Sequence, residues 1–341
     1  MLTQEKFATL KEGFALHRVG VEDLDRVLAL INEYSQATLG INEQTRNELK
    51  NFWQTPGLDM AEDLRRVTNP DGNLVGYVEA LTETQPPAHP FIWMRLHPIE
   101  DVGNAGSALL AWALQRVTQV METVPSGLRV SVQTFLFTED KLAHELFEDF
   151  GFKLIRHSFI MHREIREAPP DPVWPAGITL RPFDADLHAE AVYRADDEAF
   201  SDHFGHVEQP FETGFAKFKH FMSEDEFDPS LWFVAMDGND IAGISLCRKN
   251  EQEETPMGWV GSLGVRRPWR KRGLGMALLL HSFGEVYRRG YKKVGLGVDA
   301  SNLTGALKLY ERVGMYIARQ YDRYEKELRP GKELMTIEVK E

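Results

Sequence analysis

Two stretches of this chain carry the same elements in the same order, displaced by 163 residues near their start (Arg18 to Arg181) and by 169 further on (Gly106 to Gly275). A repeat of that size is a whole domain, so the chain is constrained to fold as two copies of one architecture. Each copy opens with a strand and a helix, Leu16-His17-Arg18 before VEDLDRVLALINEY and Leu180-Arg181-Pro182 before ADLHAEAVYRADDEAF. Asp-Gly-Asn recurs at Asp71 and Asp237 between apolar runs, turn chemistry that predicts hairpins over 70–81 and 236–247. A further strand, PFIWMRLHP or MGWVGSLGV, leads into a long amphipathic helix, GSALLAWALQRVTQVME or GMALLLHSFGEVYRRG, the second stopped by Gly290. A strand, a short helix and a glycine step (ELFEDFGF, KLYERVGM) close both copies. Between them the segment EAPPDPVWPAG at 167–177 holds four prolines, which break helix and ladder alike and predict a linker. The expected fold is α/β: two tandem domains, 1–166 and 178–341, each a mixed sheet with covering helices.

Composition excludes several functional classes. With 43% hydrophobic and 27% charged residues the chain can bury a full core in each domain. No apolar stretch approaches the roughly 20 residues that span a bilayer, and Lys6 and Glu5 stand where a signal peptide would carry its apolar run. These features predict a cytoplasmic protein with no membrane partner. The single cysteine, Cys247, excludes an internal disulfide and a cysteine-based metal site, and its apolar strand setting (IAGISLCR) predicts a buried, inert thiol. A net charge of -13 argues against a nucleic-acid partner, so any anion site has to be local.

One segment concentrates positive charge. From Arg266 to Arg272 five of seven residues are cationic, and Gly273-Leu274-Gly275 then opens a helix directly after a strand. Such a turn presents unpaired N–H groups at the positive end of a helix dipole, and its glycines let a phosphate approach the main chain. The segment matches neither Gly-x4-Gly-Lys-Ser/Thr nor Gly-x-Gly-x-x-Gly, so a P-loop and a dinucleotide fingerprint are both excluded. Upstream, glycines at 258, 261 and 264 weaken regular pairing and predict a bulged strand able to splay from its neighbour. For Gly258, simple accommodation of bulky neighbours is the competing reading.

Arg270-Lys271-Arg272-Gly273-Leu274-Gly275 after Val265-Arg266-Arg267-Pro268 resembles the Arg-x-x-Gly-x-Gly coenzyme A motif of the GNAT acetyltransferase superfamily. Asn302-Leu303-Thr304-Gly305-Ala306, followed by Tyr310 and Gly314, is similar to that family's closing Asn-x-x-x-Ala-x-x-x-Tyr-x-x-x-Gly pattern. Over its full length the chain resembles the tandem GNAT proteins of the mycothiol synthase type. The resemblance implies two GNAT-like domains, each with a central, mostly antiparallel sheet and helices on both faces, and acetyl-CoA as cofactor. It implies that Arg270, Lys271, Arg272, Gly273, Leu274, Gly275 and Met276 hold the pyrophosphate. Leu263, Gly264 and Val265 would pair with the pantetheine arm, Asn302 would contact it, and Tyr310 would lie near the thioester sulfur.

Aligned on the same motif, the first copy places Asp101 opposite Arg270, Asn104 opposite Gly273, Phe147 opposite Tyr310 and Glu139 opposite Asn302. Acidic groups there would repel a pyrophosphate, so 1–166 is expected to be a degenerate scaffold and 178–341 the catalytic domain.

The reaction implied is direct transfer of acetyl to a small-molecule amine in a ternary complex, since no cysteine is placed to carry an acyl group. Tyr310, with an ordinary pKa of about 10, could protonate a departing thiolate whose conjugate acid lies near about 8.5. Backbone N–H groups from Leu263 to Val265 would meet the oxyanion. Strand 257–265 contains no Glu or Asp to serve as base, which leaves Asp299 and the Asp202, His203 and His206 cluster as candidates. Phe211, Phe215, Phe218 and Met222 fall at helical spacing and read as core ahead of an acceptor pocket. The acidic run Glu251, Glu253 and Glu254 reads as a solvated turn. A non-catalytic acyl-CoA sensor would keep the cationic turn without needing Tyr310, and a protein acetyltransferase is a third reading. Monomer and homodimer are equally compatible with the sequence.

Overall fold

The two Asp-Gly-Asn segments form tight turns in a computed structural model that describes residues 9–82, 84–100, 102–224, 227–250, 256–301 and 305–337. Gly72 and Gly238 take the left-handed conformation that these turns demand, with φ of 84° and 61°. In chain order the elements are β1 (Ala15–Arg18), α1 (Leu24–Leu39), α2 (Arg46–Trp53), α3 (Met60–Asp63), β2 (Leu64–Thr68), β3 (Leu74–Leu81), β4 (Phe91–Leu96), α4 (Ala105–Met121), β5 (Val130–Phe137), α5 (Lys141–Asp149) and β6 (Lys153–Glu164). They continue with β7 (Ile178–Pro182), α6 (Ala185–Phe200), α7 (Phe211–Met222), β8 (Trp232–Asp237), β9 (Asp240–Asn250), β10 (Met257–Val265), α8 (Leu274–Arg288), β11 (Lys293–Asp299), α9 (Ala306–Arg312) and β12 (Tyr316–Arg329). No regular element spans 167–177, as the prolines there require.

The chain divides into two compact units, one running to Arg156 and regaining Tyr321–Leu334, the other His157–Gln320 with Met335 onward. The strand order is β1-β2-β3-β4-β5-β12 in the first unit and β7-β8-β9-β10-β11-β6 in the second. Every pairing within them is antiparallel except β4 with β5 and β10 with β11. The duplicated α/β reading is borne out at this level. The units differ, however, from a division at the 167–177 linker, because the last strand of each repeat is exchanged. Ser158–Glu164 of β6 runs antiparallel along β11, and Tyr321–Arg329 of β12 along β5. The physical reason is that β5 and β11 each have a parallel neighbour on one side only, and the long terminal strand of the other repeat covers the remaining edge.

In the second unit β9 is buried from Ile241 to Cys247, covered on both faces. Ile244 and Leu246 meet Val192 and Ala195 of α6 together with the aromatics of α7, whereas Cys247 lies with Leu278, Phe283 and Val286 of α8 on the other side. Buried positions on α8 recur at Leu274, Leu278, Ser282 and Val286, one every four residues, so one stripe of the helix faces the sheet. Truncating the fully buried Phe283 to Ala in such a layer costs about 3–5 kcal/mol. The helix ends where expected: Tyr291 N–H donates to Val286 O and Gly290 N–H to Tyr287 O, closing a Schellman motif.

Candidate active site

The site begins with a fault in β10. Its register against β9 shifts between Val260 and Ser262, so Gly261 is the extra residue of a bulge. Before the bulge β10 pairs in parallel with β11 over Gly258–Val260 and Val294–Leu296. Beyond it, pairing with β9 continues to Val265, but pairing with β11 stops, while β11 runs on to Asp299 against β6. The two strands splay, and Ser262–Val265 presents its backbone edge to the gap. Gly258 has another explanation: a Cβ there would lie 2.3 Å from Val286, so this glycine admits α8 to the sheet. At Gly264 a Cβ would lie 2.9 Å from Ala199, and only glycine lets the end of α6 lie so close to the splayed strand.

The strand then turns into α8. Lys271, with φ of 60°, is the one non-glycine residue in the left-handed region among those described, a conformation that costs about 1–2 kcal/mol. Gly273, φ 88°, is the N-cap, and a Cβ on it would meet open space. Among the described residues no side chain caps the helix, so the first-turn amides of Leu274, Gly275 and Met276 are available to an anion at the positive end of a 15-residue dipole.

The five cations divide into two groups. Arg266 donates to Glu198 and to Ile241 O and lies over the Trp269 ring. Arg270 donates to Val265 O, Ala199 O and both oxygens of Asp202, which is 4% exposed. Burial alone would raise the Asp202 carboxyl, but Arg270 outweighs it and holds the group below its ordinary value. Arg270 is thus a brace between α6 and the turn. Arg267, Lys271 and Arg272 are the solvent-facing cations.

Tyr310 on α9 belongs to the buried layer beneath α8 and is 8% exposed. Desolvation pushes its phenol up to about 12, and its hydroxyl has no hydrogen-bond partner among the described residues. The turn and α9 converge: a Cβ on Gly275 would lie 3.7 Å from both Leu309 and Val265. His203 packs its ring 4.7 Å from Phe200, with its pKa lowered by burial against the opposing charges of Asp202 and Asp299. Asp299 itself caps the next turn, accepting from Ser301 N–H at 2.7 Å. His206 stands 3.9 Å from Asp197. Asn302, Asp101 and the run Glu251, Glu253 and Glu254 lie outside the described residues. The stripe of α7 is half-buried: Phe215, Phe218 and Met222 pack on the α6 layer, and Phe211, Phe215 and Phe218 surround the Tyr193 ring at 5.5–5.7 Å.

One pair escapes the sequence reading. Asp196 of α6 accepts a hydrogen bond from the Ser262 hydroxyl, directly past the bulge. Burial, reinforced by Asp197, pushes its carboxyl up to about 6 despite that hydrogen bond. The available signal was helical period: Asp196 flanks the apolar stripe Val192, Ala195 and Ala199 instead of standing opposite it. Cys247 is buried, and burial raises its thiol. Among the described residues no group of three His, Cys, Asp or Glu could hold a metal, and no helix is long and apolar enough to cross a membrane.

A splayed parallel strand pair ending on a cation-rich helix start, with a nearly buried tyrosine beside it, defines an acyltransferase that uses acetyl-CoA. The sequence profile of the GNAT acetyltransferase family matches residues 189–315. Mycothiol acetyltransferase of Streptomyces scabiei is 30% identical over 298 residues, covering 85% of this chain and 87% of the relative. That of Thermobispora bispora is 30% identical over 247 residues, 72% of this chain and 77% of its own length. Among solved structures, a GCN5-related N-acetyltransferase from Sphaerobacter thermophilus is 32% identical with a TM-score of 0.78, covering 96% of this chain and 99% of its own. A tandem GNAT protein from the clavulanic acid biosynthesis pathway, 13% identical with a TM-score of 0.69, shares the fold over 94% of this chain and 100% of its own. The chain belongs to the GNAT acetyltransferases, among their tandem, mycothiol synthase-like members.

The residues present fit acetyl-CoA: orphaned amides at the start of α8 for a pyrophosphate, three exposed cations for its charge, and a free strand edge for an amide-bearing arm.

Proposed function

We propose that the chain is an acetyl-CoA-dependent N-acetyltransferase that acts on a small-molecule amine by direct transfer in a ternary complex, with one cofactor site, in the second unit. The observation that carries this reading is the β10–β11 splay ending on the uncapped turn Lys271–Met276. When bound, acetyl-CoA supplies an activated acetyl thioester. The amides of Gly273–Met276 and the cations Lys271 and Arg272 bind and orient its pyrophosphate, the edge of Leu263–Val265 aligns the arm, and N–H groups of that edge face the carbonyl oxygen. Tyr310 holds a proton on Oη at neutral pH and donates it to the leaving sulfur; Asn302 is retained as a contact to the arm. Direct transfer is supported by Cys247, which is 2% exposed with its thiol held protonated by burial. Asp299 and His203 border the same region and remain candidates for handling the acceptor's protons.

The restriction to one site is supported by what occupies the corresponding places in the first unit. Opposite Gly264 stands Arg95, 3% exposed, paired through two hydrogen bonds with Glu43 and lying over the rings of Trp93, Phe137 and Tyr34 at 4.1, 4.6 and 4.9 Å. Opposite Gly273, Asn104 is engaged by the chain's own start, accepting from Lys11 N–H at 2.6 Å and donating to Thr9 O. Phe147 replaces Tyr310 and is 1% exposed.

The test is calorimetric titration of the full chain with coenzyme A, together with thiol release from acetyl-CoA over a thiol-free amine panel of glucosamine, tyramine, spermidine and serine methyl ester. One site per chain and amine-dependent thiol release are expected. Two equivalent sites would refute the one-site assignment, and binding with no release for any amine would favour an acyl-CoA sensor.

A further inference from the structure

We propose that Asp196, positioned by Ser262, is the proton acceptor for the incoming amine, filling from a helix the role for which β10 has no carboxylate. The proposal rests on the acetyltransferase reading above and adds to it a residue, a protonation state of the acceptor and a direction of approach.

Three observations converge. First, location: Ser262 is the residue after the bulge, where β10 parts from β11, and its hydroxyl donates to Asp196 Oδ1. The carboxylate therefore sits at the head of the gap whose edge amides would face an acyl oxygen. Second, faces: α6 packs with Ile244 and Leu246 on one side of the sheet, whereas Tyr310 lies in the layer beneath α8 on the other. Asp196 and Tyr310 thus flank the β10 edge from opposite faces, an arrangement that lets an amine enter beside the base while the thiol leaves beside the acid. Third, energetics: a half-buried carboxylate without a cation is unfavourable, and Asp196 has none among the described residues. Its charged neighbour on α6 is the like-charged Asp197; α7 turns Phe211, Phe215 and Phe218 towards α6; and on β9 Arg248 shares the Leu246 face opposite Trp259. Folding gains little from a carboxylate here, and such an arrangement marks a functional group more often than a structural one.

The acceptor class follows. A desolvated carboxylate next to Asp197 attracts an ammonium, so the amine binds protonated and is neutralised in place. Asp196 takes one proton from the ammonium nitrogen, whose freed electron pair forms the C–N bond as the C–S bond breaks. The sulfur leaves with the C–S pair and takes a proton from Tyr310, which regains one from the nitrogen as the amide forms. Asp196 then releases its proton to water, so the sum is amide, free thiol and one proton. With the Asp196 carboxyl at about 6, the base is ionised at neutral pH and becomes protonated below that value.

The experiment measures kcat/KM against pH for the best amine of the panel, with coenzyme A affinity measured in parallel. For wild type an acid limb breaking near pH 6 is expected. D196N should lower kcat/KM by about 100-fold and abolish that limb while coenzyme A affinity stays within twofold. S262A removes a donor to the ionised carboxylate and loosens its position, so its limb should move to higher pH and its plateau should fall about threefold to tenfold; lost packing alone would lower the plateau without moving the limb. D196N turning over at the wild-type rate, or a wild-type acid limb that survives in it, would overturn the proposal and leave the acetyltransferase reading intact. If D196N does not fold, an S262A limb at the wild-type position overturns it instead. No amine-dependent thiol release from wild type would sink the acetyltransferase reading and this proposal together.

Discussion

Tyr310 has an unusual environment for a core tyrosine: it is nearly buried, yet its hydroxyl finds no partner among the described residues and desolvation raises its pKa to about 12. A purely structural tyrosine normally satisfies its O–H. Because no hydrogen bond is lost, Tyr310→Phe should change stability by less than about 0.5 kcal/mol. If the phenol protonates the leaving sulfur, kcat and kcat/KM should fall together by about 10- to 100-fold with coenzyme A affinity unchanged. Thermal melts and steady-state thiol release check both halves, and unchanged turnover would remove the proton-donor role. At this scale the sequence was legible where chemistry depends on local order. The strand-turn-helix context makes Gly273 and Gly275 meaningful, and a single cysteine in an apolar strand had to be buried. It was not legible where the property comes from tertiary surroundings. Nothing local to Asp196 announces a carboxyl at about 6, because burial against β10 creates that value.

Among the elements, the junction of α6, β10 and α8 shows how far a motif residue's surroundings decide its part. Arg270 opens the Arg-x-x-Gly-x-Gly pattern, yet its guanidinium is taken up by Val265 O, Ala199 O and Asp202, fixing the end of α6 against the turn. Lys271 and Arg272, by contrast, are exposed. Asp202→Asn, which touches no ligand, should therefore weaken coenzyme A binding nearly as much as Arg270→Gln. The double variant should lose little more than either single one, a coupling of about 1–3 kcal/mol. Lys271→Ala and Arg272→Ala should instead weaken binding most at low salt, since exposed charges are screened. Calorimetry at two ionic strengths separates the two groups, and additive losses for Arg270 and Asp202 would show that the brace is not the common cause. The Asp202 carboxyl is held below its ordinary value, so the brace is intact at neutral pH and is lost on acidification through the depressed pKa. The hairpins and α8 were readable from turn residues and from a four-residue stripe. Strands β6 and β12 were not. β12 runs Asp322-Arg323-Tyr324-Glu325-Lys326-Glu327, a charged pattern that reads more easily as an exposed helix. Its charges are satisfied across the sheet, where Glu325 accepts from Arg129, Ser131 and Gln133, contacts that no local window contains.

For the whole molecule, a strand exchange leaves no trace in a repeat, because the order of elements is the same whichever unit the last strand joins. The duplication was therefore visible in the sequence and the exchange was not. Its consequence concerns folding. β11, which forms one wall of the splayed gap, is paired on its far side from Lys293 to Asp299 by Glu164 to Ser158 of β6. Cutting the chain within 167–177 places β6 on the fragment that lacks the site and leaves β12 on the fragment whose own sheet does not use it. Fragment 178–341 would then expose the seven-residue edge of β11 and carry an unpartnered β12, both invitations to aggregate. We expect that fragment alone to be largely insoluble or to bind coenzyme A at least 10-fold more weakly than the full chain, and co-expression with 1–166 to restore a soluble pair with full affinity. Size-exclusion chromatography and calorimetry on the single and paired fragments decide the matter. A soluble 178–341 that binds coenzyme A as the intact chain does would show that the site is complete within its own repeat and that β6 contributes only an edge cover.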